Sequence, residues 1–253
     1  MRHFIYILIF LCIAFLNSTC SDEAAIDTSG TSNTGIAGSL ARFCISGNFL
    51  YALDFKDLSV IDISNPGNPV LTTKVAVGTE AETIFPLGNW LFLGTQTGML
   101  IFQIGADGVP GFRSSYEHVR SCDPVVADGQ YAYVTLRSNG CPVEGGLTDR
   151  LEVLDISNVA QPELIGSYGL NEPYGLGLRE NILFVCDGSF GVKVFDVSDP
   201  TVPQLLAQIN DIDARDVIAL NGLILVIGPE NIYEYDTSNP AQPQLLSLLP
   251  FGV

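Results

Sequence analysis

The chain has 253 residues, with 28 acidic side chains against 11 basic ones and a formal net charge of −17. An acid excess of this size excludes nucleic acid as a partner, because binding there rests on Lys and Arg neutralising phosphates. It also disfavours electrostatic docking on anionic lipid, and its plain physical effect is solubility through mutual repulsion.

Residues 1–20 read as an export signal and not as part of the fold. Arg2 supplies a positive start, and Phe4 to Leu16 is an apolar run too short to span a bilayer. Asn17-Ser18-Thr19-Cys20 follows, which resembles a bacterial lipoprotein box. That resemblance implies that Cys20 is lipidated and becomes the first residue of the mature protein. The match departs at Asn17, where leucine is usual and Leu16 stands one step earlier. Ser21-Asp22-Glu23 is similar to the acidic surface-export signal of Bacteroidota lipoproteins. The expected place is therefore the outer membrane, lipid-anchored at the cell surface, with a periplasmic protein as the alternative. A plain secretory signal, with Cys20 incidental, is the competing reading. Residues 21–39 have no aromatic residue and many small polar ones, as a flexible tether does.

From about residue 40 one phrase recurs. Val60-Ile61-Asp62-Ile63-Ser64-Asn65-Pro66 returns as Val153-Leu154-Asp155-Ile156-Ser157-Asn158, as Val194-Phe195-Asp196-Val197-Ser198-Asp199-Pro200 and as Glu234-Tyr235-Asp236-Thr237-Ser238-Asn239-Pro240. A degenerate copy, Ile101-Phe102-Gln103-Ile104-Gly105, fills the gap. The marker residue advances by 41, 52, 41 and 40 positions. A period near forty with short strands predicts a β-propeller, one blade per repeat. The expected fold is all-β: a five-bladed β-propeller of four-stranded antiparallel blades over residues 40–253. The repeats fall at about 40–80, 81–120, 121–171, 172–212 and 213–253.

Each repeat has the same order. An apolar inner strand leads to a tight turn at Gly47-Asn48, Gly88-Asn89, Asp128-Gly129, Glu180-Asn181 or Asn221-Gly222; most of these pairs suit the positive φ of a two-residue hairpin. A second strand rich in aromatic and branched residues follows, such as Trp90-Leu91-Phe92-Leu93. The marker phrase is the third strand, and its Asp, Ser and Asn predict a turn held by side chains bonding their own backbone. Pro69, Pro162, Pro203 and Pro243 then open a fourth strand, which belongs on the blade's outer edge because proline has no N–H for a ladder. The chain enters on an inner strand near Arg42 and leaves on an outer strand near Leu249. No overlapping strand is visible, so closure is expected to rest on blade-to-blade packing.

The third-strand phrase resembles the LVIVD-repeat family of bacterial propellers. The likeness is clearest at Leu58-Ser59-Val60-Ile61-Asp62-Ile63, Leu151-Glu152-Val153-Leu154-Asp155-Ile156 and Val192-Lys193-Val194-Phe195-Asp196-Val197. It implies a propeller and no established catalytic residues.

Of six cysteines, Cys44 and Cys186 read as buried small apolar groups inside strands. Cys122 precedes the inner strand of the third repeat and Cys141 follows its second strand. Antiparallel pairing puts both at one end of the blade, so a disulfide is expected in an exported protein. Zinc is the weaker reading, with no CxxC or paired His to support it.

No nucleophile elbow, phosphate loop or dinucleotide loop is present. The acidic run Asp211-Ile212-Asp213-Ala214-Arg215-Asp216 lacks the glycine and distal glutamate of a calcium loop, and turn chemistry explains it better. No metal or cofactor is expected. Alignment on the hairpin turns puts Ala41, Glu82, Asp123, Tyr174 and Arg215 at one position near the axis, on the face that also receives the loops after each second strand. Eleven extra residues of the third repeat, with Arg137, Asn139, Glu144, Asp149 and Arg150, fall on that face. The expected ligand-binding residues are Glu82, Asp123, Tyr174, Arg215, Arg137 and Arg150; strand capping and pairing across blades is the competing use. The leading function is a non-enzymatic, surface-anchored binding module for an envelope protein or glycan. The alternative is a glycoside hydrolase or lyase with Glu82 and Asp123 as acid and base.

Overall fold

The computed structural model describes residues 38–117, 124–138 and 149–251. These form five four-stranded antiparallel sheets, and no helix occurs among the described residues. The first blade is β1 (Phe43–Ser46), β2 (Phe49–Asp54), β3 (Asp57–Asp62) and β4 (Val70–Ala76). The second is β5 (Ala81–Leu87), β6 (Trp90–Thr95), β7 (Gly98–Ile104) and β8 (Pro110–Glu117). The third is β9 (Val125–Asp128), β10 (Tyr131–Leu136), β11 (Arg150–Asp155) and β12 (Glu163–Gly169). The fourth is β13 (Leu176–Arg179), β14 (Ile182–Cys186), β15 (Val192–Asp196) and β16 (Gln204–Ile209), and the fifth is β17 (Asp216–Leu220), β18 (Leu223–Ile227), β19 (Asn231–Asp236) and β20 (Gln244–Pro250). In every sheet the strands lie in chain order, so each blade is a meander and the whole is a five-bladed β-propeller.

The marker phrase works as its chemistry dictates. The carboxylates of Asp62, Asp155, Asp196 and Asp236 each accept the N–H two residues on, at 2.8 Å in all four cases. These bonds, with the neighbouring Ser hydroxyls, hold all four carboxyls below their ordinary pKa. The bond turns the chain from third strand to fourth without help from the core. Pro69, Pro162, Pro203 and Pro243 stand directly before the fourth strands. A bulge recurs at one place in all five blades, between Val60 and Ile61, Ile101 and Phe102, Val153 and Leu154, Val194 and Phe195, and Glu234 and Tyr235. In the third blade the hairpin pair is Gly129-Gln130, one residue later than the sequence suggests, with Gly129 at φ 55°.

Blades pack flank to flank. Cys44, Tyr51, Leu58 and Val60 of the first meet Ile84, Leu91, Leu93 and Phe102 of the second. Equivalent cores join the second to the third, the third to the fourth and the fourth to the fifth. Polar ties reinforce them: Tyr51 donates to Gly108 O at 2.9 Å, Ser114 to Val159 O, and Tyr168 to Thr201 O at 2.5 Å. Gly177 allows the fourth and fifth inner strands to approach closely, since a Cβ there would lie 3.1 Å from Val217 O.

The expected closure by packing is not what the fifth junction shows. No core of buried residues joins the fifth blade to the first among the described residues. The link there is the segment before β1. Ser39 is fully buried, its Oγ accepts Leu176 N–H at 2.7 Å, and the Ser39 and Leu40 backbone bonds the Asp216 carboxylate. The last residues of the expected tether are thus part of the fold, because they satisfy a carboxyl and a backbone donor on two other blades.

Candidate functional site

Glu82, Arg137, Tyr174 and Arg215 come together on one face. Tyr174 is held before β13 by its N–H on Cys186 O at 2.8 Å and by Thr135 Oγ1 on its carbonyl at 2.6 Å. Its ring is flanked by two guanidinium groups. Arg137 Cζ, from the end of β10, lies 3.9 Å from the ring centroid, and Arg215 Cζ, from before β17, lies 4.1 Å from it. Cations of this kind are drawn to the electron-rich faces of an aromatic ring.

Carboxylates surround the three. Arg215 bonds Asp213 at 2.7 Å and lies 3.8 Å from Glu172, which accepts the Tyr174 hydroxyl at 3.2 Å. Burial lowers the Arg137 pKa, against the opposing pull of Glu172, Asp149 and Glu82. Burial raises the Asp213 carboxyl, and the Glu172 charge raises it further. Asp213 Oδ1 is buried without a hydrogen-bond partner among the described residues. Glu82 sits at an irregularity between Ala81 and Thr83 and accepts Gln96 Nε2 at 3.0 Å.

A second layer fixes this loop. Asp187 is fully buried beneath it and ion-paired with Lys193. Burial alone would raise its pKa; donors from Lys193, Glu172 and Asn171 outweigh that and hold it low. The Asn171 and Glu172 N–H groups reach Asp187 Oδ1 at 2.9 and 2.8 Å.

Other expected residues stand elsewhere. Among the described residues Arg150 pairs not with the cluster but with Glu152, at 2.8 Å, and Tyr116 of the second blade donates to the same carboxylate at 3.1 Å. That triad, centred on the buried Glu152, ties the second blade to the third. It takes Arg150 because β11 turns the side chain toward β8, which a position in a loop alignment does not reveal. Ala41 holds the second blade through its carbonyl, which accepts Ile84 N–H at 2.9 Å. Asp123, Asn139, Glu144, Cys122, Cys141 and Cys20 lie outside the described residues. Cys44 and Cys186 are buried free thiols, and burial pushes Cys44 up to about 12.

The axis also differs from the expected funnel. Gly38 to Leu40 occupies it at the Tyr174 end. The axial cavity, about 310 Å³, has walls from all five inner strands, among them Cys44, Phe85, Val126, Gly177 and Ala219, and a rim at the hairpin-turn end made by Asp128, Arg179 and Glu180.

Sequence reading put the loops that carry Glu172, Gln96, Phe55 and Phe190 on this face but did not single these residues out. Phe55 is held at φ 50° in the turn after β2, is 59% exposed, and has Arg42 Cζ 4.5 Å from its ring centroid. Phe190 is 47% exposed in the matching turn of the fourth blade. A bulky residue at positive φ is sterically costly, and such strain gathers where the surroundings or a function demand it. An aromatic residue inside a short polar turn was the available signal.

The LVIVD repeat model matches residues 35–77, 120–169 and 175–211, just over half of the chain. The chain belongs to the LVIVD-repeat family. The second and fifth blades fall outside the match, the second being the one with Gln103 at the marker. No curated protein matches the chain. Among solved structures it is similar to the periplasmic gluconolactonase PpgL of Pseudomonas aeruginosa, with a TM-score of 0.63 and 13% identity over 81% of this chain and 68% of that one. AztD of Citrobacter koseri gives 0.58 and 13% over 85% and 60%. BamB of Moraxella catarrhalis gives 0.52 and 12% over 82% and 59%. At these identities the likeness is one of fold alone.

Proposed function

We propose that this LVIVD-repeat propeller is a non-enzymatic binding module, lipid-anchored through Cys20 at the outer membrane, whose partner is an envelope protein or a glycan. The observation that carries the reading is the asymmetry of its two faces. One bears Arg137, Tyr174 and Arg215 in contact, with Phe55 and Phe190 exposed in neighbouring turns. The other has the two-residue hairpins and the Asp-Xaa-Ser turns, which offer few adaptable side chains. Exposed aromatic and arginine side chains are the groups that anchor interfaces.

The Tyr174 ring is flanked by two guanidinium groups and Phe55 has Arg42 over its ring, so Phe190 and the remaining exposed surface of Phe55 are left to stack on a sugar or fill a protein pocket. A soluble Cys20→Ala protein on a glycan and envelope-protein array tests the reading. Phe55→Ala and Phe190→Ala should weaken any captured partner at least tenfold without lowering the melting temperature. Hydrolysis of an arrayed glycan, abolished by Glu82→Gln, would instead favour the carbohydrate-cleaving alternative. Cell fractionation tests the anchor: Cys20→Ala should move the protein from the membrane to a soluble fraction. Peptide mapping without reductant should show Cys122 joined to Cys141.

A further inference from the structure

Four residues before each hairpin turn stands an apolar residue on the inner strand: Phe43, Ile84, Val125, Leu176 and Val217. Ile84 is 1% exposed and Val125, Leu176 and Val217 are 0%, each covered by the preceding blade; Phe43 is 59% exposed. The same holds through the rest of the flank. Leu50, Ala52 and Ile61 are half-buried, where Ile224, Val226 and Tyr235 of the fifth blade are buried. The far flank of the fifth blade mirrors this. Phe184, Cys186, Val192 and Ile209 of the fourth blade are buried, whereas Leu225, Ile227 and Ile232 are half-buried and Leu249 is 62% exposed. Every residue of β20 is exposed.

These two flanks are halves of the interface that the chain buries four times internally. We infer that they form a contact between copies, the fifth blade of one chain packing on the first blade of the next. The occupant follows from the repeat: the surface that fits a first-blade flank is the far flank of a preceding blade, and the fifth blade is the one that has it uncovered. Ser39 and Leu40, seated on Asp216, fill the axis between the two blades of one chain, where the other junctions bring inner strands together. Charge agrees as well. On the fifth blade Glu234 and Ser247, bonded at 2.7 Å, replace Val194 and Ala207 of the fourth. The first-blade flank carries the exposed cation Lys74. A polar pair in an apolar flank keeps the chain soluble when alone and adds attraction when the flanks meet. The contact is head to tail, so copies either close into a ring or extend.

Light scattering on the Cys20→Ala protein over a wide concentration range tests this. The mass should rise to two chains or more. Phe43→Glu and Leu249→Glu, both at exposed positions, should each weaken association at least tenfold while leaving the melting temperature unchanged. Lys74→Glu should also weaken it, and adding Glu234→Lys in the same chain should restore it. A monomer at every concentration overturns the inference. So does association that ignores all four substitutions, or a cross-link between the two flanks inside a single chain.

Discussion

Gly188 lies directly against Glu172: a Cβ at position 188 would sit 2.3 Å from Glu172 Oε2. Glu172 is the residue that accepts the Tyr174 hydroxyl and approaches Arg215, so a glycine in one turn sets the position of the cluster in another. Gly188 also holds φ 58°, where a side chain is strained. Gly188→Ala is expected to cost about 2 kcal/mol of stability and to shift the Tyr174 near-ultraviolet signal. A variant with unchanged melting and an unchanged aromatic spectrum would show that Glu172 moves aside freely.

Glu180 gives the opposite sign. It holds φ 52° at the hairpin position where Gly47, Gly88 and Gly129 hold 59°, 57° and 55°. The left-handed conformation costs a non-glycine residue roughly 1–2 kcal/mol, part of which glycine returns as unfolded-state entropy. Glu180→Gly should therefore stabilise the protein by up to about 1 kcal/mol. The urea midpoint should rise with the slope unchanged; a lower midpoint would mean that Glu180 makes a contact worth more than its strain.

Asp216 should give stability a pH dependence. Burial raises its carboxyl from 3.8 to about 6, against the hydrogen bonds from Val217, Leu40 and Ser39. The folded chain thus holds this proton more tightly than the unfolded chain. Its contribution favours folding fully below about pH 4 and is lost as the pH rises through about 6, on the order of 2–3 kcal/mol. The lowered Asp62, Asp155, Asp196 and Asp236 act with the opposite sign, their contribution being lost as the pH falls through their folded pKa values, so the readout is a difference. The stability of the protein minus that of Asp216→Asn should fall between pH 4 and pH 7. A flat difference would place the Asp216 pKa near its ordinary value.

Lys193 and Asp187 are a buried pair, 13% and 0% exposed at their side chains. Lys193→Met removes the cation and leaves the carboxylate with its amide donors alone. Breaking a buried pair from one side costs about 3–5 kcal/mol. Thermal melting should show the loss, and Asp187→Asn combined with Lys193→Met should recover part of it. A silent Lys193→Met would mean that the Asn171 and Glu172 donors satisfy Asp187 without it.

Several features were legible in the sequence because the forces behind them are local. The Asp-Xaa-Ser turn closes within three residues, a hairpin glycine answers to its own φ, and a strand shows its two-residue period wherever it sits. Those signals, recurring in four or all five of the repeats, determine a propeller with its strands in chain order. They also placed Glu82, Tyr174 and Arg215 at one end of their blades, since equivalent positions in a repeat share an end. What surrounds a side chain is not local. Phe43 and Ile84 occupy the same place in the repeat, yet one is exposed and one buried, because burial depends on whether another blade lies beside it. Arg150 and Arg137 look alike as charged residues of one loop; β11 turns the first to Glu152, while the second reaches Tyr174. Ser39 reads as tether in a polar stretch, and only its distance to Leu176 and Asp216, far along the chain, makes it part of the core. Short-range backbone chemistry decided the repeat, and contacts between residues remote in sequence decided which flanks stay uncovered and which charges meet.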